Sequence, residues 1–101
     1  MAPKPKKIKI GPYEWTIEEV KDLKDMGECD FQQLRIKIKK DLPTPVKVTT
    51  IFHELLHGAF ASAGFSPKQE EIIVDSLASQ LLTFLKENKE FLKYLHKLLN
   101  N

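Results

Sequence analysis

The hydrophobic pattern of this chain changes once along its length, and that change limits the fold more than any other feature. In the first half apolar residues alternate with polar ones, as where Leu34, Ile36 and Ile38 are separated by basic residues. Such alternation is typical of strands with one buried face. After residues 42–45, which contain two prolines, apolar residues recur at helical spacing. Strands followed by helices predict an α+β fold.

The strand half is expected to form a small twisted sheet. Residues 8–18 predict a β-hairpin, because a Gly-Pro turn signal at residues 11–12 divides two alternating runs. Residues 25–27 indicate a loop. The next strand, residues 34–39, has a strongly basic polar face, which indicates an edge strand.

Capping signals divide the helical half into three helices. Gly64 predicts the end of the first helix. Ser66 and Gln69 predict a capping box at the start of the second helix, whose end is predicted at Asn88. Residues 89–99 predict a third, shorter amphipathic helix. On the second helix Ile73, Leu77, Leu81 and Phe84 form one apolar row, with Val74, Ala78 and Leu85 beside it.

Composition excludes several classes of function. The 16 basic and 14 acidic residues give a formal net charge of +2, which is too balanced to indicate a nucleic-acid-binding protein. Cys29 is the single cysteine, so no internal disulfide is expected. No stretch approaches the ~20 apolar residues that span a bilayer, and no apolar segment of the secretory-signal type follows the basic N-terminus. We therefore expect a soluble, cytoplasmic protein.

The motif that indicates chemistry is His53-Glu-Leu-Leu-His57, inside the first predicted helix. Histidines four residues apart project from one helix face and can bind one Zn²⁺. Glu54 is rotated about 100° from His53, so its carboxylate is expected beside the metal rather than on it. This H-E-x-x-H pattern is typical of zinc peptidases, in which zinc acidifies a water molecule and the glutamate takes the proton.

A catalytic zinc ion needs a third protein ligand. The downstream candidates are Glu70, Glu71, Asp75 and His96. Gly64 separates two helices that are expected to run antiparallel, with His57 seven residues before it and Glu71 seven residues after it. At ~1.5 Å per residue these two positions come level, which favours Glu71. Glu70 is turned about 100° from Glu71 and is expected to face solvent or the adjoining helix.

Asp75 lies four residues after Glu71, on the same face of the second helix. We expect it to accept the second ring N–H of His53, because metal-binding histidines usually need such a partner to orient the ring.

Two segments together, His53-Glu-Leu-Leu-His57 and Glu71-Ile-Ile-Val-Asp75, resemble the HExxH and ExxxD pattern of gluzincins, the thermolysin-like zinc peptidases. The chain length and the order of strands and helices over residues 8–99 are similar to the minigluzincins, minimal soluble members of that group. The resemblance implies a zincin-like domain over residues 8–101, preceded by a flexible basic tail at residues 1–7. In that fold a small N-terminal twisted sheet packs on an active-site helix and a glutamate-bearing helix, followed by a short C-terminal helix or tail.

The resemblance also implies roles for individual residues. His53, His57 and Glu71 would bind zinc. Glu54 would act as general base and acid, and Asp75 would support a ligand. The domain would be similar to the catalytic domains of integral-membrane peptidases such as CAAX prenyl proteases and BlaR-type sensors.

Some minigluzincins are latent zymogens because the C-terminal segment blocks the cleft, which here would be residues 89–101. Tyr94 and His96 are that segment's candidates for a latency or oxyanion role. The apolar stripe of the segment is expected to pack on its own core or on a second copy, which would give a homodimer through the C-terminal helix.

The expected activity is hydrolysis of a peptide or protein substrate, with the substrate strand pairing along residues 34–39. The alternatives are a non-catalytic zinc-binding protein and a helical interaction protein without metal.

Overall fold

The computed structural model describes residues 5–101, and their side chains except at residue 67. A four-stranded sheet is followed by three helices, which confirms the α+β class. The elements are β1 (Lys6–Ile10), β2 (Tyr13–Val20), β3 (Gly27–Asp30), β4 (Arg35–Lys39), α1 (Thr44–Ser62), α2 (Pro67–Glu87) and α3 (Lys89–Leu99).

The sheet has the strand order β1-β2-β4-β3, so β1 and β3 form its edges. The β1–β2 and β3–β4 pairs are antiparallel, and β2–β4 is parallel. The prediction that residues 34–39 form an edge strand is therefore wrong. Acidic neighbours explain why a basic strand can lie inside the sheet: Lys37 is level with Glu18 on β2 and with Glu28 on β3.

Two further strand predictions need correction. Residues 25–27 were predicted as a loop, but β3 begins at Gly27 and pairs with β4. Its sequence, Gly-Glu-Cys-Asp, has low β-propensity, so the pairing with β4 and not local preference makes it a strand. The predicted tail at residues 1–7 overlaps β1, because Lys6 and Lys7 pair with β2. Residues 1–4 of that tail lie outside the described residues.

The predicted helix boundaries are confirmed. Gly64 adopts φ +86° just after α1, a left-handed conformation that favours glycine. Ser66 caps α2, and Gln69 completes the capping box. Asn88 separates α2 from α3. Within residues 5–101, no helix combines the length and the apolar character that crossing a membrane requires.

The core lies between the sheet and α1, around the buried side chains of Trp15, Ile36 and Ile38. Gly58 allows this close packing: a Cβ there would lie 3.1 Å from Cδ1 of Ile10. The second helix, α2, packs against α1 through its buried residues Val74 and Ala78, while Leu77, Leu81 and Phe84 of the neighbouring apolar row are about two-fifths exposed. The helix α1 therefore contacts both the sheet and α2, and it is the element that carries the histidine motif.

Candidate metal centre

His53 and His57 lie one turn apart on α1 and their rings meet. The two Nε2 atoms are 3.1 Å apart, and the ring centroids are 4.7 Å apart. The four-residue spacing gives this result because successive turns of a helix place such side chains one above the other. Both imidazoles are partly exposed, so a ligand could reach them from solvent.

Glu71 approaches the histidine pair from α2. Its Oε2 lies 3.6 Å from Nε2 of His57. One ligand atom from each of the three residues His53, His57 and Glu71 falls within 4.8 Å of the others. In a tetrahedral zinc site with bonds of ~2.0–2.1 Å, neighbouring ligand atoms are about 3.3 Å apart. The separations of 3.1 and 3.6 Å fit that ion, and so does the set of two imidazoles and one carboxylate.

Glu70, next to Glu71, holds the other side of the His57 ring. Its Oε1 lies 2.7 Å from Nδ1 of His57. The Glu70 side chain is 12% exposed, whereas that of Glu71 is 59% exposed. Glu70 was predicted to face either solvent or the adjoining helix. It faces the adjoining helix α1, so the solvent alternative is wrong. The row of α2 that packs on α1 contains Val74 and Ala78, and Glu70 is the next member of that row.

Within the described residues, Asp75 contacts neither His53 nor His57. Asp75 is exposed, and no hydrogen bond joins it to His53 in the described part of the chain. The arrangement gives the role of orienting a histidine to Glu70 acting on His57. The spacing of Val74 and Ala78, extended back by one turn, is the sequence signal that would have identified Glu70.

Glu54 is the buried charged residue of the described structure, at 8% exposure. Burial raises the pKa of its carboxyl group, and the neighbouring charges of His57 and His53 act in the opposite direction. The carboxylate fits beneath β3 because residue 27 is glycine. A Cβ on Gly27 would lie 2.9 Å from Cγ of Glu54 and 2.8 Å from Cγ2 of Thr50.

A cleft runs past Glu54 between α1 and the free edge of β3. On one side is a cavity of about 570 Å³. Its lining residues include Cys29, Asp30, Phe31, Ala61 and Glu70. On the other side is a hollow of about 310 Å³, lined by Met26, Thr49, Thr50 and His53. Gly27 and Glu54 line both spaces. The strand beside the cleft is therefore β3. The prediction that a substrate strand pairs along residues 34–39 is wrong, because β4 is already paired on both sides.

The C-terminal candidates lie elsewhere. Tyr94 and His96 are on α3, which among the described elements contacts α2 alone. Tyr94 packs beside Phe91, and the ring of His96 lies 3.2 Å from Nδ2 of Asn100. No residue from 89–101 lines either space of the cleft within the described chain. In this structure α3 therefore does not cover the cleft.

Comparison of the chain with protein-family models, with curated proteins and with solved structures gave no match. The geometry of the site and the H-E-x-x-H pattern are the features of this chain that indicate a function.

Proposed function

We propose that this protein is a zinc-dependent metallopeptidase of the gluzincin type. The observation that carries the proposal is the meeting of His53, His57 and Glu71 beside the buried carboxylate of Glu54. A structural zinc site is normally closed by four protein ligands, whereas a catalytic site has three and keeps one position open. Three donors in an open cleft favour the catalytic type.

His53, His57 and Glu71 would hold the zinc ion. When bound, zinc polarises a carbonyl group and acidifies a water molecule. The chain supplies the remaining groups. Glu70 accepts a hydrogen bond from Nδ1 of His57, which leaves Nε2 of that ring free to bind metal.

Glu54 is positioned to move the proton. Its burial raises the pKa of the carboxyl group above the ordinary value, which suits a group that first takes a proton from water and then donates it to the leaving amine. The low exposure of Glu54 also limits exchange of that proton with bulk solvent.

The free edge of β3 suits an extended peptide. Strand addition to an exposed edge binds the substrate through main-chain hydrogen bonds. Side chains on either side of the scissile bond would then enter the 570 Å³ cavity and the 310 Å³ hollow. The substrate class that follows is an unfolded segment of a peptide or protein, and the cytoplasm stays the predicted location.

Two measurements test the proposal together. Elemental analysis of purified protein should give about one zinc per chain, reduced in Glu71→Ala and retained in Glu54→Gln. Cleavage of unfolded casein, read by mass spectrometry, should be lost in Glu54→Gln. His96→Ala is the matched control and should leave both results unchanged, because α3 lies away from the cleft.

The outcomes separate the alternatives. Zinc binding with no cleavage that depends on Glu54 would favour the non-catalytic zinc protein. No zinc after reconstitution would favour the metal-free interaction protein. Latency through residues 89–101 stays a prediction: a chain that ends at Asn88 should then cleave casein faster than the full chain.

A further inference from the structure

The bulky apolar side chains along one face of α2 and α3 are only about half buried. On α2, Leu81, Phe84 and Leu85 are each about two-fifths exposed. Helix α3 has a cleanly apolar face too, yet no residue of α3 is buried. We define the α2–α3 face by its six central residues: Leu81, Phe84, Leu85, Phe91, Leu95 and Leu98.

This face is continuous across the junction of the two helices. Phe84 and Phe91 meet edge to face, with ring centroids 6.1 Å apart. Leu95 and Leu98 extend the row from Phe91 at spacings of four and seven residues, which keeps them on one side of α3. An isolated helix of 11 residues is marginal in water, so α3 needs apolar packing that this chain alone does not provide.

The accessible area indicates how much surface is uncovered. A compact monomer of 11.7 kDa is expected to expose about 5,900 Å². This chain exposes 7643 Å². The excess over the whole chain is roughly 1,700 Å². The six residues of the α2–α3 face, each 38–50% exposed, contribute to it, and a permanent dimer buries about 1,000 Å² or more on each subunit.

We propose that the α2–α3 face is the interface of a symmetric homodimer. In a two-fold interface the same patch meets itself, so the apolar rows of one copy cover those of the other. The rim of the patch fits this symmetry because it carries both signs of charge: Glu87 on α2, and Glu90 and Lys97 on α3. A patch with both signs at its rim can pair with a second copy of itself.

A lipid surface is the competing occupant, because α3 is short, amphipathic and rich in lysine. The carboxylates of Glu87 and Glu90 lie at the junction between Phe84 and Phe91, where an anionic bilayer would repel them. The charges at the rim therefore favour a second copy of this chain over a lipid surface as the partner of the α2–α3 face.

Sedimentation equilibrium of the full chain tests the interface. We expect a mass of about 23 kDa, twice 11.7 kDa, at ~10 µM protein. Leu81→Lys and Leu98→Lys should each raise the dimer dissociation constant about 100-fold or more, because each places an unpaired charge in an apolar interface. Ile72→Lys is the matched control. It is 64% exposed on the same helix, nine residues before Leu81 and hence on the opposite side, and it should leave the mass unchanged.

Circular dichroism checks that each variant keeps its helices, and Leu81→Gln and Leu98→Gln replace any variant that unfolds. A monomeric wild-type chain at ~100 µM overturns the proposal. So does a dimer that survives both leucine substitutions, or one that Ile72→Lys dissociates as strongly as they do. A monomer that floats with vesicles of phosphatidylcholine and phosphatidylglycerol would assign the face to lipid and overturn it as well.

Discussion

The Nδ1 atom of His57 lies 2.7 Å from Oε1 of Glu70, so an acidic residue of α2 fixes the orientation of a ring on α1. With the Nδ1–H donated to Glu70, the lone pair of Nε2 faces His53 and Glu71. The contact also holds the helices α1 and α2 together at the site. Two neighbouring glutamates thus lie on different sides of this ring: Glu71 is beside Nε2, where the proposed zinc ion would bind, and Glu70 is beside Nδ1.

Replacing Glu70 should weaken metal binding without removing a ligand. We expect Glu70→Ala to lower zinc affinity about 10–100-fold, because it removes the acceptor that orients His57. Asp75→Ala is the matched control, since Asp75 is an exposed acid on the same helix with no hydrogen bond to His53. Competition with a chromogenic chelator measures both affinities. Equal losses in the two variants would contradict the role given to Glu70.

Much of the local structure is predictable from the sequence. Gly64, Ser66 and Gln69 locate the boundary between α1 and α2, because a left-handed residue and a capping box depend on local chemistry. The cluster of His53, His57 and Glu71 also follows from helix geometry, given antiparallel helices of equal rise.

What the sequence does not reveal depends on tertiary contacts. The strand β3 has weak local propensity and exists because β4 and α1 surround it. The rotation of α2 about its axis decides whether Glu70 or Asp75 meets a histidine, and small side chains set that rotation. Val74 and Ala78 allow α2 close to α1, while the larger Leu81 stays outside.

The close approach of β3 to α1 at residue 27 should be necessary for catalysis. We expect Gly27→Ala to reduce kcat about 10–100-fold, because the new Cβ would lie 2.9 Å from Cγ of Glu54 and displace its carboxylate. Zinc content should change little, since the three ligands are untouched. Gly64→Ala is the control: its Cβ meets nothing within 4 Å, but φ +86° makes it costly for stability. An unchanged kcat in Gly27→Ala, or an equal loss in both variants, would contradict the assignment.

The buried carboxylate of Glu54 should lower the stability of the metal-free protein. Its folded pKa is raised, chiefly by burial, so the stability it contributes is full below about pH 4 and is lost as pH rises through the folded pKa. Glu54→Gln should therefore be more stable than wild type at pH 7.5 in the presence of chelator, by about 1 kcal/mol. Urea unfolding at pH 3.5 and 7.5 measures the difference. A difference in the free energy of unfolding between Glu54→Gln and wild type that is larger at pH 3.5 than at pH 7.5 would refute this explanation.

Cys29 should react slowly with alkylating reagents although it lines the cleft. Burial raises the pKa of its thiol to about 12, and the charges of Glu54, Glu70 and Asp30 contribute in that order. Since the thiolate is the nucleophile, reaction with iodoacetamide at pH 8 should be about 1,000-fold slower in the folded protein than in urea. Glu54→Gln should speed the reaction of the folded protein, because among the three carboxylates Glu54 contributes most to raising the pKa of the thiol.

The dependence of the rate on pH separates this cause from simple shielding. A thiol with a raised pKa reacts about tenfold faster for each pH unit up to pH 10 and beyond, as its thiolate fraction grows. A shielded thiol of ordinary pKa would reach a plateau near pH 9 instead. The unfolded thiol loses its proton near pH 9 and the folded thiol only near 12, so the fold should also become less stable between those values. A plateau near pH 9 would show that access, and not the electrostatic surroundings of the cleft, protects Cys29.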